Sequence, residues 1–391
     1  MTNSIMPTYT RQPVAFASGE GSWLIDEKGE RYLDALSGIS VCNIGHANPI
    51  IAQAISDQAS RLLHTSNLYE IPLQTKLAGR LCELSGLDRV FFCNSGAEAN
   101  EAAIKLCRKS AHQRGMPNPV IVVMHGSFHG RTMATLSATG NAKVRDGFAP
   151  LLQGFHHVPY DNINVLRDLA RQDIEIIAVM LEPIQGEGGV VVPSHGYLRE
   201  VRELCTENNW LMVLDEIQTG MCRTGEWFAC QHENVSPDIM TLAKSLGNGV
   251  PIGACIANEK ASEPMLPGSH GSTFGGNPLS ARTALVVVEF MTTNNIPLRV
   301  SSLGETMQSN IRKEMADLSG VMDIRGKGLM IGIELNRDCG ELVSLALEKK
   351  LLINVTAGNV IRLLPPLTMT DEEMDIIVGT VCELVKVFVG K

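Results

Sequence analysis

The chain has 391 residues, 44% of them hydrophobic and 19% charged, with a formal net charge of -9. That length accommodates two domains, or a large and a small one sharing a core. The acidic balance argues against nucleic acid or an anionic membrane surface as the main partner.

Met1 to Gly21 contains no basic segment leading into an apolar core and no Arg- and Ser-rich amphipathic stretch, so no secretory or transit signal is expected. Residues 18–41 read as short antiparallel strands, with Trp23–Asp26 ahead of the turn Glu27–Glu30. The middle alternates apolar strand runs with helical patterns. Strands are expected at Arg89–Cys93, Val120–Met124, Ile174–Leu181, Leu211–Leu214 and Ile252–Ile256. Helices are expected at Ala97–Gln113, His195–Asn208 and Asn277–Thr293. This alternation predicts an α/β fold with a mostly parallel sheet covered on both faces. The C-terminal third predicts a helix near 297–318, strands near 321–335 and 351–363, and a last helix at about 371–388, with Thr370 as its N-cap. The expected division is a large domain at 56–290 and a smaller one built from 1–55 and 291–391. Apolar runs such as Ala284–Val288 fall far short of the roughly 18 residues that span a bilayer. The ten cysteines, at 42, 82, 93, 107, 205, 222, 230, 255, 339 and 382, form no CxxC pair. They read as reduced core thiols of a cytoplasmic protein, without a disulfide framework or a zinc site.

Several stretches carry polar chemistry. Asn94–Asn100 follows a strand and opens a helix, so backbone N–H groups and a positive helix end converge near Ser95, Gly96 and Ala97. That suits a phosphate; an ordinary N-cap in a tight turn explains it equally well. Phe128 can cover a flat ring and Arg131 can fork a carboxylate, or they are a core phenylalanine and a surface arginine. His125, His129, His156 and His157 lack the spacing of a metal motif, and no metal is expected. Glu182–Gly189 closes a strand, where acids of parallel sheets face the ligand crevice; Glu187 also reads as a solvated loop acid. Asp215 ends another apolar strand, with Gln218 three residues on. Lys244 lies in a short apolar segment that stops at Gly247 and Gly249. An acid and then a lysine, each ending an apolar segment, is the layout of a pyridoxal-phosphate enzyme. The lysine binds the cofactor aldehyde and the carboxylate keeps the pyridine nitrogen protonated. Alone, Lys244 reads as a solvated helix-end lysine, and Asp215 as the metal-binding acid of a nucleotide enzyme, although no Walker loop accompanies it. Gly271–Pro278, with Thr273 as donor and Ser272 beside it, is a second Gly-rich loop opening a helix and a second candidate for binding phosphate. Arg362 stands in an apolar strand and must pair with something; a substrate carboxylate is one choice.

In this order, from Leu36–His46 to the Arg362 strand, these motifs resemble the pyridoxal-phosphate aminotransferases of class III, in the branch that holds acetylornithine and ornithine aminotransferases. The resemblance covers essentially the whole chain and implies a fold-type I homodimer with shared active sites. It implies that Lys244 carries the cofactor and moves the proton, that Asp215 faces the pyridine nitrogen and that Gln218 approaches the ring oxygen. Ser95, Gly96 and Ala97 would bind phosphate, Thr273 would bind the phosphate of the other subunit's cofactor, Ser272 would contact substrate, and Phe128 would cover the ring. Arg131 would hold the α-carboxylate of N2-acetylornithine, and Arg362 that of glutamate or 2-oxoglutarate. Glu187 would pair with Arg362 when the other substrate is bound. The implied reaction gives N-acetylglutamate 5-semialdehyde and glutamate, as in arginine biosynthesis. Succinylornithine, succinyldiaminopimelate, ornithine and 4-aminobutyrate are the alternative donors, and a catalytically silent relative is the rival of another class. Glu70–Pro72, Met124–His125 and Cys42 depart from the common pattern near the expected substrate entrance. They bear on the acyl group and leave the cofactor untouched.

Overall fold

The computed structural model describes residues 4–390. The readings of Met1–Gly21 and of the terminal domain segments lie outside the described residues where they touch 1–3 and 391. Three strands open the chain: β1 (Phe16–Glu20), β2 (Trp23–Asp26) and β3 (Arg31–Asp34), antiparallel to one another as expected.

The central sheet contains β4 (Arg89–Cys93), β5 (Val120–Met124), β6 (Phe155–Val158), β7 (Ile176–Leu181), β8 (Leu211–Asp215), β9 (Ile239–Leu242) and β10 (Gly253–Ala257), in the order β4-β10-β9-β8-β7-β5-β6. Every residue of β7, β8 and β9 is buried, which is why these strands read as unbroken apolar runs. The β10 strand runs antiparallel to both neighbours; the other neighbouring pairs are parallel. Sequence periodicity missed two strands. Phe155–Val158 carries two histidines at the sheet edge, and Ile239–Leu242 is a four-residue run. It also missed the helices Pro49–Ala59 and Pro72–Ser85, each of which begins on a proline. The helices Gly96–Gln113, Tyr197–Glu207 and Pro278–Thr293 fall within two residues of expectation.

The C-terminal part forms β11 (Val321–Lys327), β12 (Met330–Leu335), β14 (Asn354–Thr356) and β15 (Val360–Leu363) as a second sheet. The intervening β13 (Leu351–Leu352) instead pairs in parallel with β3, so the two ends of the chain share a sheet. Thr370 caps the last helix, Asp371–Val389, in a reciprocal bond with Glu373. All ten cysteines are free and eight are buried. No helix among the described residues is long and apolar enough to cross a membrane.

One local conformation was invisible to pattern reading. Ser37, Gly38, Ile39 and Ser40 have φ of 46, 66, 66 and 60°, a full left-handed turn, and three of them bear side chains that disfavour it. Buried Arg223 holds the turn. Its Nε donates to Ser40 Oγ at 3.0 Å and its Nη2 to Asn43 Oδ1, while its Nη1 donates to the carbonyls of Leu329 at 2.9 Å and Pro365 at 2.7 Å. Arg223→Met would leave those buried acceptors without donors. The expected loss is about 3–5 kcal/mol of unfolding free energy, read from urea denaturation. A loss under about 1 kcal/mol would show that the acceptors find other partners.

Candidate active site

The parallel strands deliver their carboxyl ends to one edge of the sheet, where ligand crevices form in such folds. A cavity of about 370 Å³ opens there. Ser95, Gly96 and Ala97 line it from the start of a helix, and Phe128 and Arg131 from the loop after β5. Asp215 lines it from the end of β8, and Gln218 and Lys244 from the segments that follow β8 and β9. Eight of the residues expected from sequence therefore meet in one place.

Ser95 caps the helix by accepting from Glu98 N at 3.2 Å. Gly96 makes room for Ile217: a Cβ there would come within 2.8 Å of Ile217 Cδ1 and push that side chain aside. The phosphate-suited helix start thus sits directly against the Asp215 loop. Asp215 is buried and accepts from Asn100 Nδ2 at 2.7 Å, from His129 Nδ1 at 2.8 Å and from Ile217 N at 3.1 Å. Asn100 is itself held by Thr241 Oγ1 at 2.7 Å.

Lys244 sits at φ 48°, a left-handed conformation of the kind that persists where surrounding structure enforces it. Burial, helped by the Arg362 cation, pushes its amine down to about 8, against the opposing pull of Glu187, Asp215 and Glu182. Glu182 is buried beside Asp215. Burial pushes its carboxyl up to about 7, Asp215 adds to the rise, and His129 opposes it. Its two oxygens accept from Phe128 N and Gly186 N, both at 3.0 Å, so one carboxyl ties the Phe128 loop to the Glu187 loop.

Arg362, fully buried in β15, donates from Nη1 to Glu187 Oε1 at 2.6 Å and to Gln218 Oε1 at 3.1 Å, and from Nε to Asn354 Oδ1 at 2.9 Å. Its Nη2 is buried with no hydrogen-bond partner among the described residues. Burial raises the Glu187 carboxyl, but the adjacent Arg362 outweighs that and holds it below the usual carboxylate range. Arg131 lies with its guanidinium carbon 5.6 Å from the Phe128 ring centroid. Gln218 thus spends its carbonyl on Arg362. Thr273 is exposed and does not line the cavity of its own chain. Ser272 lies outside the lining too, and its Oγ accepts from Asn94 Nδ2 at 3.2 Å and from Gly275 N at 3.0 Å.

Sequence reasoning gave no role to Asn100, His129 and Glu182. Asn100 and Glu182 stood inside motifs already singled out, and His129 was weighed only as a metal ligand. The available signal was an asparagine on the alanine-rich buried face of a helix, beside Ala99 and Ala103.

These residues suit pyridoxal phosphate. The helix start at Ser95–Ala97 would suit its phosphate, the buried Asp215 carboxylate its ring nitrogen and Phe128 a ring face, and Lys244, its amine pushed down to about 8, lines the same cavity. The unpartnered Arg362 Nη2 would be available to donate to an incoming carboxylate.

The class-III aminotransferase profile matches residues 5–385. The chain is 52% identical over 384 residues to the acetylornithine aminotransferase of Nitrosomonas europaea, covering 98% of each. It is 47% identical to that of Methanothermobacter thermautotrophicus, over 95% of this chain and 93% of the relative. Among solved structures, the ornithine aminotransferase of Toxoplasma gondii superposes with a TM-score of 0.96 at 34% identity, over 99% of this chain and 94% of the other. The acetylornithine aminotransferase of Elizabethkingia anophelis superposes with a TM-score of 0.87 at 35% identity, over 97% of this chain and 95% of the other. A further Toxoplasma structure reports partial occupancy of PLP at the active site. With the motifs, the cavity and full-length similarity in agreement, the chain belongs to the class-III aminotransferases.

Proposed function

We propose that the protein transfers the side-chain amine of N2-acetylornithine to 2-oxoglutarate, giving N-acetylglutamate 5-semialdehyde and glutamate, with pyridoxal 5'-phosphate as cofactor. The cofactor supplies the electron sink; the chain's own residues bind, orient and move the proton. Lys244 holds the cofactor and carries the proton. Asp215, fixed by Asn100 and His129, faces the ring nitrogen. Arg131 receives the carboxylate of the amine donor and Arg362 that of the dicarboxylate.

The observation that carries this reading is the Glu187–Arg362 pair at 2.6 Å, with Arg362 Nη2 left over. One site must take two substrates in turn. An open Arg362 would draw the donor in by its carboxylate and present the wrong amine. A carboxylate that covers the arginine reversibly separates the two binding modes. The exposed Thr273 supports a homodimer in which that residue reaches the partner's cofactor phosphate. The shared β3–β13 sheet supports a small domain made of residues 1–55 and 291–391 beside a large one at 56–290. Scattered cysteines without paired spacing support a cytoplasmic setting.

The test is a half-reaction panel that follows bleaching of the visible absorbance of the holoenzyme. Acetylornithine is expected to outpace ornithine and 4-aminobutyrate, with succinylornithine as the competing acyl donor. Glu187→Ala is expected to let ornithine react at its α-amine, seen as a change in the product aldehyde or keto acid. Unchanged product selectivity would sink the masking role, and a colourless holoenzyme would sink the reaction.

A further inference from the structure

The loop that carries the mask is pinned along its length. Gln185 and Val191 close its base with reciprocal backbone bonds of 3.1 and 3.0 Å. Gly186 N is held by Glu182, and the Glu187 carbonyl accepts from Thr356 Oγ1. Arg325 then grips the far side: its Nη2 donates to the Gly189 carbonyl at 2.6 Å and its Nε to the Val190 carbonyl at 2.9 Å. The guanidinium is oriented in turn by Asp323 and Glu334 through Nη1. Val190 is buried at φ 51°, a conformation that β-branched residues avoid. It rests where Gly332 has no side chain; a Cβ on Gly332 would lie 2.9 Å from Val190 Cβ. Gly332 is the register partner of Arg362. The loop is therefore seated on the strand pair that bears the arginine it covers.

We propose that Arg325 is a positioning residue that fixes the mask backbone against the Arg362 strand, so that Arg362 opens by rotation of the Glu187 side chain alone. This rests on Glu187 being a reversible mask. Withdrawal of the loop would break the Thr356 and Arg325 bonds together and lift Val190 out of its seat. Rotation breaks only the contacts of a side chain that is already 31% exposed. A fixed hinge point also returns the carboxylate to the same place after each half-reaction. A loosened loop leaves Arg362 open longer, which favours the dicarboxylate and penalises the amine donor.

The test compares half-reactions of the holoenzyme with N2-acetylornithine and with glutamate in Arg325→Met and Thr356→Val. The second variant is close in shape to the native residue and decides the matter if the first does not fold. The ratio of kcat/KM for acetylornithine over that for glutamate is expected to fall roughly ten-fold in Arg325→Met, about what one hydrogen bond to a charged group carries. Thr356→Val is expected to shift it in the same direction. The proposal is overturned if both half-reactions fall together, which is a merely structural role. It is also overturned if the ratio stays constant in both variants while Glu187→Ala moves it. A ratio untouched even by Glu187→Ala removes the mask itself, and this inference with it.

Discussion

Lys244→Ala is expected to lower transamination by about 10⁴-fold, the upper end of what a positioned acid–base group supplies. No other group in the cavity is equivalent. Glu182 is engaged by two backbone amides, and Asp215 is engaged by three hydrogen-bond donors. Cofactor affinity should fall far less, because the helix start at Ser95–Ala97 and the Asp215 loop remain. The check is a single-turnover assay with acetylornithine beside equilibrium binding of the cofactor; a variant retaining more than about 1% of the rate would mean that another base takes the proton. The native protein carries a matching pH signature. A lysine must be neutral to attack an aldehyde, so covalent attachment of cofactor to the apoprotein should speed up as pH rises and level off above about 8. At pH 7 about one amine in ten is neutral at that value, against roughly one in 3,000 for an ordinary lysine. A rate still climbing past pH 9.5 would show that the cavity does not depress the amine.

Most of the frame was legible because the physics behind it is local. Strands buried on both faces read as apolar runs, and β5, β7 and β8 stand out on that rule alone. The capping pair Thr370–Glu373 is a short-range signature of the same kind. What escaped depends on long-range partners. Phe155–Val158 is a strand because β5 lies beside it, and nothing in FHHV alone requires that. The left-handed turn at Ser37–Ser40 exists because Arg223, more than 180 residues away, bonds Ser40. In the site, single residues at strand and helix ends were readable, whereas the network joining Asp215 to Asn100, His129 and Thr241 spans two strands, a helix and a loop. Thr273 marks the other boundary: its exposure in one chain says what it does not touch, and the role proposed for it requires a second copy.

Arg362→Gln is expected to divide the two half-reactions. Glutamate and 2-oxoglutarate lose a forked cation. At about 1.5–3 kcal/mol for each of two charge-assisted bonds, kcat/KM for that half should fall by roughly 10²–10⁴. The acetylornithine half should fall less than about ten-fold, because its carboxylate is assigned to Arg131 and the loss there is confined to a displaced mask. Equal losses in both halves would show that Arg362 holds the strand together and nothing more. Charge and geometry can then be separated at Lys244. The Arg362 cation helps to lower that amine, while Glu187 opposes it. Removing the cation and leaving the carboxylate reverses the local balance, so Lys244 should titrate above 8 and cofactor attachment should move to higher pH. Arg362→Lys keeps the charge without the planar fork. It should therefore restore the pH dependence of attachment and leave most of the dicarboxylate defect in place. A lysine variant that restored both would mean that a point charge suffices, and the pairing of Arg362 with Glu187, Gln218 and Asn354 would lose its role in selecting substrate.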